Sequence, residues 1–89
     1  MKYHNYNIAA WKSLGSLYYE NKKFKNARKA YKRAIKLDSE DFEAWYKMAY
    51  IFYEQGNLSK AIKTNARSLR INPQFEPALK LHEKLLSSK

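Results

Sequence analysis

The 89-residue chain carries 18 Lys/Arg against 8 Asp/Glu, a formal net charge of +10, and 45% of its residues are hydrophobic. It is long enough for one small globular domain, and too apolar for a disordered chain. It has no run near the ~18 apolar residues of a membrane span, no apolar core in MKYHNYN to suggest a signal peptide, and no cysteine, so the expected setting is reducing and cytoplasmic.

Tyr3 to Asn7 reads as a polar, aromatic lead-in, with Asn7 as N-cap of a first helix starting at Ile8. Trp11, Leu14, Gly15 and Tyr18 follow the i, i+3, i+4, i+7 spacing of a buried helical face. Gly15 is unfavourable inside a helix by about 1 kcal/mol against Ala, which predicts a close helix–helix approach there. Glu20 to Lys23 forms a turn. A second amphipathic helix runs from Phe24 to Leu37, with Phe24, Ala27, Tyr31, Ala34, Ile35 and Leu37 inward. Asp38 to Asp41 breaks the pattern, and Asp41 is placed to cap a third helix beginning at Phe42. On that helix Trp45, Met48, Ala49 and Phe52 form the core stripe, and Tyr46, Tyr50 and Tyr53 a second stripe roughly 110° away. Gly56 supplies a left-handed stop. The fourth helix, Leu58 to Ile71, ends at Asn72-Pro73. A fifth starts at Pro77 and carries Ala78, Leu79, His82, Leu85 and Leu86 on one side, leaving Leu81 outside as a possible self-association contact.

Shifted by 34 residues, the chain matches itself. Between 8–41 and 42–75 the pairs Ala10/Ala44, Trp11/Trp45, Tyr19/Tyr53, Glu20/Glu54, Ala27/Ala61, Lys29/Lys63 and Arg33/Arg67 are identical. Such a period signals stacked helix hairpins, none able to bury its apolar face alone. The motifs Trp11-x-x-Leu14-Gly15-x-x-Tyr18 with Ala27 and Tyr31, and Trp45-x-x-Met48-Ala49-x-x-Phe52 with Ala61 and Pro73, resemble the tetratricopeptide repeat family. The expected fold is all-α, an α-solenoid of five helices: repeats 8–41 and 42–75 and a capping helix 76–87. Three departures from the family pattern stand out. Ser39 replaces proline, which loosens a turn. Lys22 replaces glycine, which strains one. Asn65 and Ser68 replace the residues matched by Tyr31 and Ala34, which predicts a wetter seam against the fifth helix, with His82 bonded to Asn65.

Neither a Gly-rich phosphate loop nor metal-ligand spacing occurs, and the two histidines lie 78 positions apart, so no enzyme and no cofactor are expected. The acids Asp38, Glu40 and Asp41 read as caps. The resemblance implies a concave groove for a peptide, presenting Lys12, Ser16, Tyr19, Tyr46, Lys47, Tyr50, Tyr53, Lys80 and Lys84. Tyrosine offers large contact area at low entropy cost, though any one of these rings can instead fill space between hairpins. In a chaperone-type subclass the groove clamps a C-terminal carboxylate. Of its five positions this chain keeps only Lys12; Ser16, Lys47, Pro77 and Leu81 stand at the others. A groove with Lys12, Lys47, Lys80 and Lys84 around tyrosines still favours an acidic, partly apolar peptide. Lys25, Arg28, Lys29, Lys32, Arg33 and Lys36 cover the outer face of the second helix, which holds no acid. That face reads as solvated, with an anionic protein, a membrane surface or a nucleic-acid backbone as alternative partners. A homo-oligomer through the open hairpin edge is a further alternative.

Overall fold

The computed structural model describes residues 2–87, and within α1 the side chains from Asn7 onward. Its five helices are α1 (Lys2–Glu20), α2 (Phe24–Leu37), α3 (Phe42–Glu54), α4 (Leu58–Ile71) and α5 (Glu76–Ser87), with no strand among the described residues. α1 pairs with α2 and α3 with α4 as antiparallel hairpins. α3 stacks on α2, and α5 on α4 and the edge of α3. The result is a short solenoid of 41 × 28 × 17 Å.

The first helix begins earlier than the Asn7 cap implies. Residues 2–7 contain neither Gly nor Pro, so nothing stops the helix running back to Lys2, and Asn7 sits inside it with its side chain exposed. The side chains of Tyr3 and Tyr6 lie outside the described residues.

Two apolar clusters hold the stack. Ala27, Tyr31, Ala34, Ile35, Ala44 and Ile51 join the first hairpin to α3, and Ala49, Phe52, Ala61, Leu81 and Leu85 join the second hairpin to α5. Gly15 permits a close crossing of α1 and α2. A Cβ there would stand 2.7 Å from the Tyr31 ring, so only hydrogen lets the two helices close to this distance. Leu14, placed in the core stripe by its spacing, remains 36% exposed, on a side of α1 that the packing against α2 leaves open.

Local chemistry ends the helices. Asp41 accepts a hydrogen bond from the Ala44 N–H at 3.2 Å, and Asn57 caps α4 through the Lys60 N–H at 3.3 Å. Both hairpin turns pass through the left-handed region, at Lys22 (φ 61°) and Gly56 (φ 81°).

The polar seam forms, but not with the expected partner. Ser68 donates to the Phe42 carbonyl at 2.8 Å, and the Asn65 amide donates to the Ala78 carbonyl at 2.9 Å. His82 is exposed and takes no part. The cause is the rotation of α5. Its buried stripe is Ala78, Leu81 and Leu85, whereas Leu79 and Leu86 remain 38% and 55% exposed. Leu81 is core, which removes it as a self-association contact.

Candidate peptide-binding groove

α1, α3 and α5 line one side of the solenoid. Along α3 the half-buried Tyr46, Tyr50 and Tyr53 meet edge to face, with ring centroids 6.0 Å apart for Tyr46–Tyr50 and 5.8 Å for Tyr50–Tyr53. Tyr19 of α1 meets Tyr50 at 6.4 Å, and Phe75, in the turn before α5, meets Tyr46 at 5.5 Å. Each such pair contributes about 0.5–1.5 kcal/mol beyond its buried area, so the rings hold one another in place. Phe75 is absent from the sequence-based set. An apolar ring in a turn is its one signal, and no periodicity points to it.

Two clefts share this ridge. One of about 210 Å³ lies between α1 and α3, walled by Tyr19, Tyr46, Lys47 and Tyr50 with Tyr31 and Ile51 beneath. The other, of about 390 Å³, lies between α3 and α5, walled by Tyr46, Tyr50, Pro77, Lys80 and Lys84, with Leu81 beneath and one acid, Glu76, on its wall. The two clefts thus bring together Tyr19, Tyr46, Lys47, Tyr50, Lys80 and Lys84. Tyr53 adjoins them through its ring contact with Tyr50.

Lys12 and Ser16 serve the fold first. The Lys12 ammonium lies 2.9 Å from Asp41 and 3.2 Å from Glu43, tying α1 to the start of α3. Burial lowers its pKa, but the hydrogen bonds and charges of Asp41 and Glu43 outweigh this and raise it above the ordinary lysine value. Ser16 lies beside the Tyr31 phenol and offsets part of the effect of its burial. Lys84 lies over two rings of the ridge, 5.9 Å from Tyr50 and 6.0 Å from Tyr53. Lys47 and Lys80 are exposed and form no ion pair among the described residues.

Burial raises the phenols of Tyr19, Tyr31 and Tyr46 above their usual range. The Glu54 charge adds to the effect on Tyr19, and the neighbouring Tyr50 to that on Tyr46. Tyr19 and Tyr46 are therefore neutral at physiological pH and present O–H groups able to donate; Tyr19 already donates to Glu54 at 3.5 Å.

On the outer side, Lys25, Lys29, Lys32, Arg33 and Lys36 of α2 are exposed and Arg28 is half-buried. Arg28 donates to the Gln55 side chain at 3.0 Å and covers the Phe52 ring at 4.9 Å, while Arg33 covers Trp11 at 5.2 Å. The same contact recurs one repeat later, with Arg67 over Trp45 at 4.8 Å. The identical pairs Trp11/Trp45 and Arg33/Arg67 carried that signal in the sequence.

Stacked helix hairpins with a ridge of rings along one side define an α-solenoid of the protein-interaction class. The description "TPR repeat" matches residues 15–56, and "Tetratricopeptide repeat" matches 42–75. The chain belongs to the tetratricopeptide repeat family. Among solved structures, the "First TPR of Spaghetti (RPAP3) bound to HSP90 peptide SRMEEVD" superposes with a TM-score of 0.87 at 23% identity, covering 94% of this chain and 67% of that one. The crystal structure of MamA superposes with a TM-score of 0.75 at 25% identity, covering 90% of this chain and 57% of that one. These likenesses are of fold. No curated protein matches the chain in sequence.

Proposed function

We propose that this chain is a non-catalytic adaptor whose groove receives an acidic or amphipathic peptide segment. The observation that carries the reading is the ring ridge Tyr19–Tyr50–Tyr46–Phe75, flanked by clefts whose rims hold Lys47, Lys80 and Lys84. Pre-ordered rings supply apolar contact with little entropy left to lose, and the lysines supply charge complementarity and steering. Lys12, spent on Asp41 and Glu43, is the one position of the carboxylate clamp the chain keeps. The proposed ligand is therefore an internal acidic segment and not a chain end.

A peptide library displayed against the protein, followed by affinities of the enriched sequences, tests this. Acidic peptides with spaced apolar residues should be enriched. Lys47→Ala with Tyr50→Ala should weaken them at least tenfold, about 1.4 kcal/mol or more. Charge reversal, Lys47→Glu with Lys80→Glu, leaves every ring in place and should weaken acidic peptides and strengthen basic ones. Unchanged affinity in both variants, with helicity intact, would reject the groove.

A further inference from the structure

Two helices carry the whole net charge of this protein. Ten of the 18 Lys/Arg lie on α2 and α4, none of the 8 Asp/Glu does, and the cations elsewhere are matched by the acids. None of the ten forms an ion pair among the described residues, so no carboxylate neutralises them. Along α2 the pairs Lys25–Lys29, Arg28–Lys32, Lys29–Arg33 and Lys32–Lys36 set like charges four residues apart, which destabilises a helix. A merely solvated face has no need of this arrangement, since mixed signs dissolve equally well.

The cations also repeat in rows. Lys29, Arg33 and Lys36 of α2 recur as Lys63, Arg67 and Arg70 of α4 at the 34-residue period. Each row places three charges along about 10 Å of helix at about 1.5 Å per residue. One strand of a DNA duplex advances about 3.4 Å along the axis per phosphate, so each row holds at least as many cations as the phosphates it would meet. Lys29, Lys32, Arg33 and Lys36 alone line a cleft of about 210 Å³. Arg33 and Arg67 are held against Trp11 and Trp45, so their guanidinium forks are ordered in advance. Those rings, being covered, are not free to stack on bases. Of the exposed large apolar side chains, Leu14, Leu17, Leu79 and Leu86, none lies on α2 or α4; Leu14 alone adjoins the row, in a cleft shared with Lys29 and Arg33, and one leucine is a weak anchor for a lipid surface.

From these observations we infer that the α2–α4 face binds the phosphate backbone of nucleic acid without reading its bases. This site is independent of the groove, and the two stand or fall separately. The test is anisotropy of a labelled, mixed-sequence DNA duplex of about 20 base pairs, titrated with the whole chain across a salt series starting near 50 mM. Two unrelated sequences should bind within about twofold of each other, with a steep inverse dependence on salt. The triple exchange Lys29→Gln, Lys32→Gln, Lys36→Gln should cost at least about tenfold in affinity near 50 mM salt and flatten the log–log slope by about 2 to 3. Lys63→Gln, Arg67→Gln, Arg70→Gln should do the same, whereas the groove pair Lys47→Ala, Tyr50→Ala should leave binding unchanged. The first triple alters only exposed lysines, so helicity should survive it and its result counts even if loss of Arg67 loosens α4. Absence of binding near 50 mM salt, a slope that neither triple changes, or tighter binding to polyglutamate or to phosphatidylserine vesicles at equal salt would overturn the inference.

Discussion

Lys22 and Gly56 occupy the same place in successive turns, and both adopt a positive φ. A side chain in that region costs about 1–2 kcal/mol, which glycine avoids at the expense of a more flexible unfolded chain. Lys22 is exposed, so its side chain gives little packing in return. Lys22→Gly should therefore stabilise the fold by about 0.5–1 kcal/mol, raising the melting temperature by several degrees, as about 4–8 °C accompanies each kcal/mol at this size. Gly56→Ala, where a Cβ meets nothing within 4 Å, should show the opposite sign through backbone strain alone. Thermal unfolding of the two variants separates this from a packing effect. Positions governed by one residue's own backbone rules are the ones most legible in sequence. Gly15, out of place by helix propensity, pointed to the close crossing, and Lys22, aligned with Gly56, pointed to the strained turn.

At the scale of elements, legibility depends on whether a helix has one apolar face or two. α2 has one, with cations opposite, and its inward residues follow from spacing. α5 offers two leucine stripes about 100° apart, Ala78–Leu81–Leu85 and Leu79–His82–Leu86, and periodicity alone does not choose between them. The choice is made by α3 and α4, which close over the first stripe; that contact lies outside the helix's own sequence. The start of α3 shows the converse, a junction spelled out locally. Asp41 caps the helix and also receives Lys12 from α1. Asp41→Ala should cost about 1–2 kcal/mol, while Asp41→Asn, which keeps a capping oxygen, should cost under about 1. Urea titration of both variants tests that order. Equal losses would mean that the ion pair, not the cap, holds this junction. The candidate groove is half legible in the same sense. Its tyrosines are spaced on α3, but Phe75 joins them only because the turn before α5 brings it there.

For the molecule as a whole, the shifts of four groups act in one direction. Tyr19, Tyr31, Tyr46 and Lys12 all hold their protons more tightly in the fold than their ordinary values, 10.0 for the phenols and 10.5 for the lysine. A raised folded-state pKa gives stability that is full below the unfolded value and lost as pH rises through the folded one. With respect to these groups, stability should be level from neutral pH to about 10 and then fall, the tyrosines contributing first. Melting temperatures measured from pH 8 to above 11 check this, and Tyr31→Phe should remove part of the alkaline loss. A midpoint unaffected by alkali would contradict the burial of these phenols.

The stacking of Arg33 on Trp11 and of Arg67 on Trp45 has an optical consequence. These are the only two indoles in the chain, and both lie beneath guanidinium groups of the α2–α4 face, whereas the groove is lined by phenols. The two sides of the molecule thus carry different chromophores. An anion that draws either arginine away alters tryptophan emission directly, while a peptide settling on the opposite side first meets tyrosine. The protein carries its own built-in probe of which surface is occupied.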